Sequence, residues 1–252
     1  MYKIDLNCDL GESTLNKPIL SDESIIKLIT SANIACGFHA GSPTVMKNTV
    51  ALCKRYGVNV GAHPSFYDRE DFGRKQMELP FEDIKNLITY QVGALNAFCK
   101  DEGVKLNHVK PHGALYNMAA KDEKTALAIV EGIYSVNPDL ILMGLSGSVM
   151  LEVAKSKGLK VASEVFADRA YEDDGSLVAR SKQGSMITDE DEAVKRVIKM
   201  IKTNKVTSIS GKEISINPDT ICVHGDGEKA LLFVQKIKSA LEEENIKILG
   251  LE

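Results

Sequence analysis

Ile4-Asp5-Leu6-Asn7-Cys8-Asp9-Leu10-Gly11-Glu12 reads as a strand with an unusual face. Strand geometry sets Asp5, Asn7 and Asp9 on one side and Leu6, Cys8 and Leu10 on the other. A surface strand would also separate polar from apolar residues. It would do so with Lys, Thr or Glu, whereas Asp and Asn are poor strand formers. A fold that carries three short acceptors on one face uses them. Gly11 lets the chain turn, and Glu12 adds a carboxylate where the strand ends. The plain alternative is an edge strand running into a turn, and four further stretches of the same design argue against it.

Those stretches follow in order. Ala32–Gly41 is a buried strand ending at His39, a glycine turn and a helix with Ser42 as N-cap and Pro43 as its first residue. Val58–Pro64 ends at His63, Val104–Gly113 at Lys110 and His112, and Thr220–Gly227 at His224 and Asp226. Leu140–Leu145 and Lys160–Glu164 supply two more strands. Between them lie helical patterns: one capped by Ser21, one opening at Pro80 with an apolar stripe through Phe98, one from about Lys121 to Ser135, and one capped near Thr188–Asp191. Ser65–Leu79 and residues 166–185 read as long charged loops, and Val206–Ile216 as a small hairpin.

Strands alternating with helices imply parallel pairing. Seven such units predict a single α/β domain over residues 1–252, a seven-stranded TIM-like barrel that is complete, distorted or incompletely closed. An open doubly wound sheet is the alternative. The barrel is favoured because it gathers every polar strand end into one basin, whereas an open sheet uses only those at its switch point.

Composition bounds the function. The net charge is −4 with no long basic cluster, which argues against nucleic acid. No run approaches the ~18 apolar residues of a membrane span. The acidic N-terminal stretch is unlike a signal peptide, and five scattered cysteines fit a reducing cytoplasm. There is no Walker-type phosphate loop, no Gly-x-Gly-x-x-Gly after a strand and no in-register Gly-x-Ser-x-Gly elbow.

Four of five histidines, His39, His63, His112 and His224, fall at equivalent strand ends. Histidine serves there as acid, base or neutral metal ligand. Lys110 shares a face with His112. A lysine in such a place needs carboxylate partners or an anion, and the acidic N-terminal strand is one source of partners. Glu164, Asp168, Arg169 and Arg180 give the sixth unit both signs of charge. Asp226 is either a site residue or an N-cap, and Cys222 reads as a buried structural thiol.

On Asp5–Glu12, Ala32–Gly41, Gly61–Pro64, Val109–Asn117, Glu164–Tyr171 and Cys222–Asp226, the chain resembles the LamB/YcsF family from end to end. Ser42 stands where that family usually has Asp before Pro43, one N-cap for another. The resemblance implies a seven-stranded barrel related to glycoside hydrolases and deacetylases. It implies ATP-driven hydrolysis of 5-oxo-L-proline to L-glutamate, with ATP (accompanied by magnesium) as cosubstrate and subunits B and C as partners. It carries no agreed catalytic roles, so these come from chemistry. The candidates for catalysis are Asp5, Asn7, Asp9, Glu12, His39, His63, Lys110, His112, Glu164 and His224. Those for substrate or phosphate binding are Asp168, Arg169, Tyr171, Arg180 and Asp226. Asp9 or a strand-end histidine would be the general base, and Lys110, Arg169 and Arg180 the cations. No tightly held transition metal is expected, because ATP already supplies activation. The rival readings are a metal-dependent, deacetylase-like amidohydrolase using Asp9, His39 and His63, and a non-catalytic component that only binds substrate.

Overall fold

The computed structural model describes residues 2–13, 22–223 and 230–252. The elements run β1 (Lys3–Leu10), α1 (Asp22–Ile26), β2 (Ser31–Ala35), α2 (Pro43–Tyr56), β3 (Asn59–His63), α3 (Phe81–Glu102), β4 (Leu106–Val109), α4 (Gly113–Ala119), α5 (Glu123–Val136), β5 (Ile141–Leu145), α6 (Val149–Ser156), β6 (Lys160–Phe166), α7 (Glu190–Thr203), β7 (Lys205–Thr207), β8 (Glu213–Ser215), β9 (Thr220–Val223), α8 (Ala230–Glu243) and β10 (Lys247–Ile248). Strands β1 to β6 and β9 pair in parallel in that order, and β9 returns to β1, so the barrel is closed with seven strands. The register sets Asn7 opposite Ser31 on β2 and opposite Cys222 on β9. The 206–216 segment forms the antiparallel hairpin β7–β8.

The alternation of β1 divides the molecule into layers. Leu6, Cys8 and Leu10 are buried in the apolar layer between strands and helices, with Ile34, Val92, Leu95, Ile129 and Ile221. Each such aliphatic side chain stabilises the fold by roughly 1.5–3 kcal/mol. Asp5, Asn7 and Asp9 point inward, where the barrel interior is polar: Ser31, Asn33, His108, Lys110, Glu164 and Thr220 are all buried. The apolar layer outside the barrel carries the stability, which leaves the interior to hydrogen-bonded groups.

Local signals account for the helices. The Ser42 side chain accepts from the amide of Val45 at 3.3 Å, and Pro43 opens α2. Asp189 accepts from the amides of Asp191 and Glu192, each at 2.9 Å, to start α7. Helix α3 buries Ile84, Ile88, Val92, Leu95 and Cys99 along one stripe. Ser21 lies outside the described residues.

Three features differ from the sequence reading. Strand β4 stops at Val109, because Pro111 has no amide to donate and the chain turns into α4, a short helix not anticipated. Strand β10 pairs with the start of β1. Beyond it, the carbonyl of Leu251 accepts from Asn59 and Asn107, while its side chain packs on Ile141, Met143 and Ala162. The C-terminal tail thus closes the end of the barrel away from the histidines. All five cysteines are buried and free. Among the described residues no helix is long and apolar enough to cross a membrane.

Candidate active site

The C-terminal ends of the strands surround a cavity of about 460 Å³. Asp9, Glu12, His63, Lys110 and His112 line its floor, with Tyr116 and Phe166 beside them. Arg74, Arg169 and Arg180 stand around its rim.

The centre of the floor is Asp9. Its Oδ1 accepts from Lys110 Nζ at 2.9 Å and from Asn33 Nδ2 at 2.9 Å. Its Oδ2 lies 3.4 Å from His63 Nε2. Lys110 is bound on every side. Glu164 Oε1 is 2.8 Å from Nζ, the Cys222 sulfur 3.2 Å and Asn7 Oδ1 3.3 Å. Burial alone would depress this ammonium, but Asp9, the Cys222 sulfur and Glu164 outweigh it and hold Lys110 well above its ordinary pKa. Tyr116 donates to Glu164 Oε2 at 2.7 Å, and burial followed by the Glu164 charge pushes its phenol well up. A row of groups therefore runs from Tyr116 through Glu164 and Lys110 to Asp9. Lys110 has three protons and at least three acceptors, so its geometry suits it to fixing Asp9 rather than meeting a substrate oxygen.

Beside Asp9 lies a histidine cluster. The rings of His39 and His112 stack at 3.8 Å, and His63 meets both edge-on. His63 Nδ1 donates to the carbonyl of Lys110 at 2.7 Å. His112 Nε2 donates to the carbonyl of Phe72 at 2.8 Å. Ser65 gives its own proton to the carbonyl of Phe66 and so accepts from His39 Nδ1 at 2.9 Å. The remaining ring nitrogens face inward: His39 Nε2 is 3.2 Å from Glu12 Oε1, and His112 Nδ1 is 2.9 Å from His63 Nε2. Burial, with the neighbouring histidines adding to it, holds His39 and His112 well below the usual histidine value.

The loop over residues 65–79 supports this cluster. Phe72 adopts φ +55, which aims its carbonyl at His112, and Gly73 follows at φ +68. A Cβ on Gly73 would come within 2.8 Å of His112 and 2.9 Å of His39, so only glycine fits there. Arg69 ties the loop down through the carbonyls of Gly37 (2.6 Å) and Gly41 (3.1 Å).

The candidates fall into groups. Asp9, Glu12, His63, Lys110, His112, Arg169 and Arg180 line the cavity. His39 and Glu164, both fully buried, form the layer beneath. Asn7 sits deeper; it accepts from Asn33 at 2.8 Å and donates to Thr220 at 2.7 Å. Asp5 does not reach the site. Its carboxylate accepts hydrogen bonds from Ser31 (2.6 Å), Thr30 (2.7 Å) and Thr220 (2.5 Å) lower in the barrel. Tyr171 is also structural: its hydroxyl accepts from the amide of Phe166 at 2.9 Å within the core. Asp168 is buried beyond the end of β6. His224 and Asp226 lie outside the described residues. The sequence reading missed Tyr116, Asn33 and Arg74 as site residues, and underrated Cys222. Parity with His224 was the one signal for Cys222. Tyr116 gave none, since its place depends on α4.

A model of the LamB/YcsF family matches residues 4–252. The chain is 64% identical to the A component of 5-oxoprolinase from Clostridium beijerinckii, over 100% of this chain and 98% of that one. It is 57% identical to the corresponding 5-oxoprolinase component of Campylobacter jejuni, over 100% and 99%. The crystal structure of a lactam utilization protein from Thermus thermophilus superposes with a TM-score of 0.92 at 43% identity, covering 99% of this chain and 100% of that one. With one family matched across the barrel and all of the described site, the chain belongs to the LamB/YcsF family.

Proposed function

We propose that this chain is the A component of an ATP-dependent 5-oxoprolinase, opening the lactam of 5-oxo-L-proline to L-glutamate together with components B and C. The observation that carries the reading is one cavity holding a fixed carboxylate, Asp9, beneath a rim of three guanidinium groups. The names of close relatives support the substrate class.

The substrate is a small ring with a carboxylate and a stable amide. The carboxylate calls for a guanidinium, which binds it bidentately. Arg169 is suited to this. One Nη2 proton goes to the carbonyl of Val178 at 2.7 Å, and its buried Nε has no partner among the described residues. Burial and then the charge of Arg180 lower the Arg169 pKa to about 10, a site that gains from an anion. The same rim fits a phosphate, so the residues are compatible with ATP at the mouth. ATP supplies activation of the amide by phosphorylating the lactam oxygen. Water then attacks the activated carbon, the C–N bond breaks as the ring nitrogen takes back the proton held by Asp9 and leaves as the amine, and a second water hydrolyses the resulting acyl phosphate to L-glutamate and inorganic phosphate. Asp9 takes the proton of the first water through Oδ2, while Lys110 and Asn33 hold Oδ1 still.

The test is turnover of 5-oxoproline and ATP by Asp9→Asn reconstituted with B and C. Glutamate release should fall by at least about a hundredfold, the usual weight of a general base. Wild-type release of glutamate would remove Asp9 from the chemistry.

A further inference from the structure

We infer that Glu12, His39, His63 and His112 form a binding site for one divalent transition metal ion of the zinc type. The ring nitrogens carry the argument. A carbonyl oxygen only accepts, so His63 Nδ1 and His112 Nε2 must both carry protons. His39 Nδ1 must carry one too, because Ser65 has committed its own to Phe66. In neutral rings the inward nitrogens then bear lone pairs. His112 Nδ1 and His63 Nε2 direct them at each other across 2.9 Å, and His39 Nε2 directs its own at a carboxylate oxygen 3.2 Å away. Four donors facing one another repel unless a cation lies between them.

The spacing suits one ion. All four donor atoms lie within 4.8 Å of one another. Donors about 2.1 Å from zinc and separated by 2.9, 3.2 and 3.7 Å subtend angles of roughly 90–125°. The outer nitrogens show the second half of such a site: each is oriented by a carbonyl or a hydroxyl. Three imidazoles and a carboxylate favour zinc, iron or cobalt over magnesium or calcium. His39 closes the site from behind, while Glu12, His63 and His112 open onto the cavity beside Asp9. Four protein donors complete a tetrahedral shell, and the cavity side, where Glu12, His63 and His112 open, is where a fifth ligand would enter. Asp9, the carboxylate of the metal reading made from the sequence, is engaged by Lys110 and Asn33, and Glu12 takes its place.

The proposal departs from the expectation that no transition metal is held, and it does not depend on the reaction proposed above. The experiment reads binding directly. The full chain, stripped with a chelator, is titrated with cobalt(II) alone and followed by visible absorption. One equivalent should give a saturable d–d band that zinc(II) displaces. Glu12→Gln should weaken binding at least tenfold with unchanged circular dichroism, and His63→Gln/His112→Gln should abolish the band. X-ray absorption of the cobalt-loaded wild type needs no substitution and should report imidazole ligands. No saturable band in the wild type, a band untouched in these variants, or a cobalt shell without imidazole would overturn the site.

Discussion

Lys110 is the residue on which most of the site depends. Its buried ammonium sits between Glu164, fully buried, and Asp9, which only the cavity exposes. Removing one member of such a set leaves buried charge unpaired, which costs about 3–5 kcal/mol. Lys110→Met should therefore lower the urea midpoint as well as remove activity. The Glu164 contact is what makes the lysine matter for stability as well as for chemistry. An unchanged midpoint would show that the two carboxylates do not need the ammonium. His108 makes a second case. Its Nε2 donates to Asn33 Oδ1 at 2.8 Å, and burial, then the charge of Lys110, lower its pKa to about 3. The unfolded chain binds a proton near pH 6.5 and the folded chain does not. A lowered histidine thus contributes its full stability above that value and loses it as pH falls toward 3, by about 1.4 kcal/mol per pH unit. Thermal melts between pH 7 and 4 should show this acid slope, and His108→Gln should make it shallower, with His39 and His112 supplying the remainder. Parallel slopes in both proteins would place the acid sensitivity elsewhere.

At the scale of elements, the loop over 65–79 shapes the site as much as the strands do. Gly73→Ala would place a methyl against the His112 ring and the His39 Cβ at a φ that non-glycine residues adopt only at a cost of about 1–2 kcal/mol. It should lower kcat about a hundredfold through misplaced rings, with only a modest drop in melting temperature. Wild-type kcat in the complex would mean that the loop does not hold the cluster. These elements also mark how far the sequence could be read. Alternation in β1 made the polar inner face legible, and histidines at equivalent strand ends made the shared basin legible. Depth was not legible. Asp5, Asn7 and Asp9 have the same parity, and only the third lies high enough to line the cavity; Asp5 is met first by the hydroxyls of Thr30, Ser31 and Thr220. Helix α4 was hidden because seven residues after a proline and a glycine give too little periodicity. Tyr116, which that helix delivers to Glu164, was hidden with it. Glu12 read as a strand-end carboxylate, but its place among three histidines depends on tertiary packing that no local pattern encodes.

Among the described residues, the molecule has a filled interior and an open mouth. Its apolar layer surrounds the barrel, and the C-terminal tail closes the far end. The near end is different. Among the described residues, Phe72, Arg74 and Gln76 from one long loop, and residues 176–180 from the other, line the cavity without roofing it. Tyr67 of the 65–79 loop meets Phe38 edge-on at 5.3 Å, Phe38 stacks on Tyr90 at 5.4 Å, and both tyrosines are largely exposed. Exposed aromatic groups have the composition of an interface core. Water entering an open cavity would also destroy an activated amide before it reached the base. The isolated chain should therefore fold, with a cooperative urea transition, yet release glutamate from 5-oxoproline and ATP at no useful rate. Adding the B and C components should restore release, with one ADP formed for each glutamate. Tyr67→Ser/Tyr90→Ser should weaken that restoration without changing the stability of the chain in urea by more than about 0.5 kcal/mol, as expected for surface positions. Full, ATP-coupled glutamate release by the chain alone would show that the cavity is already sufficient and that docking over its mouth has no part in the chemistry.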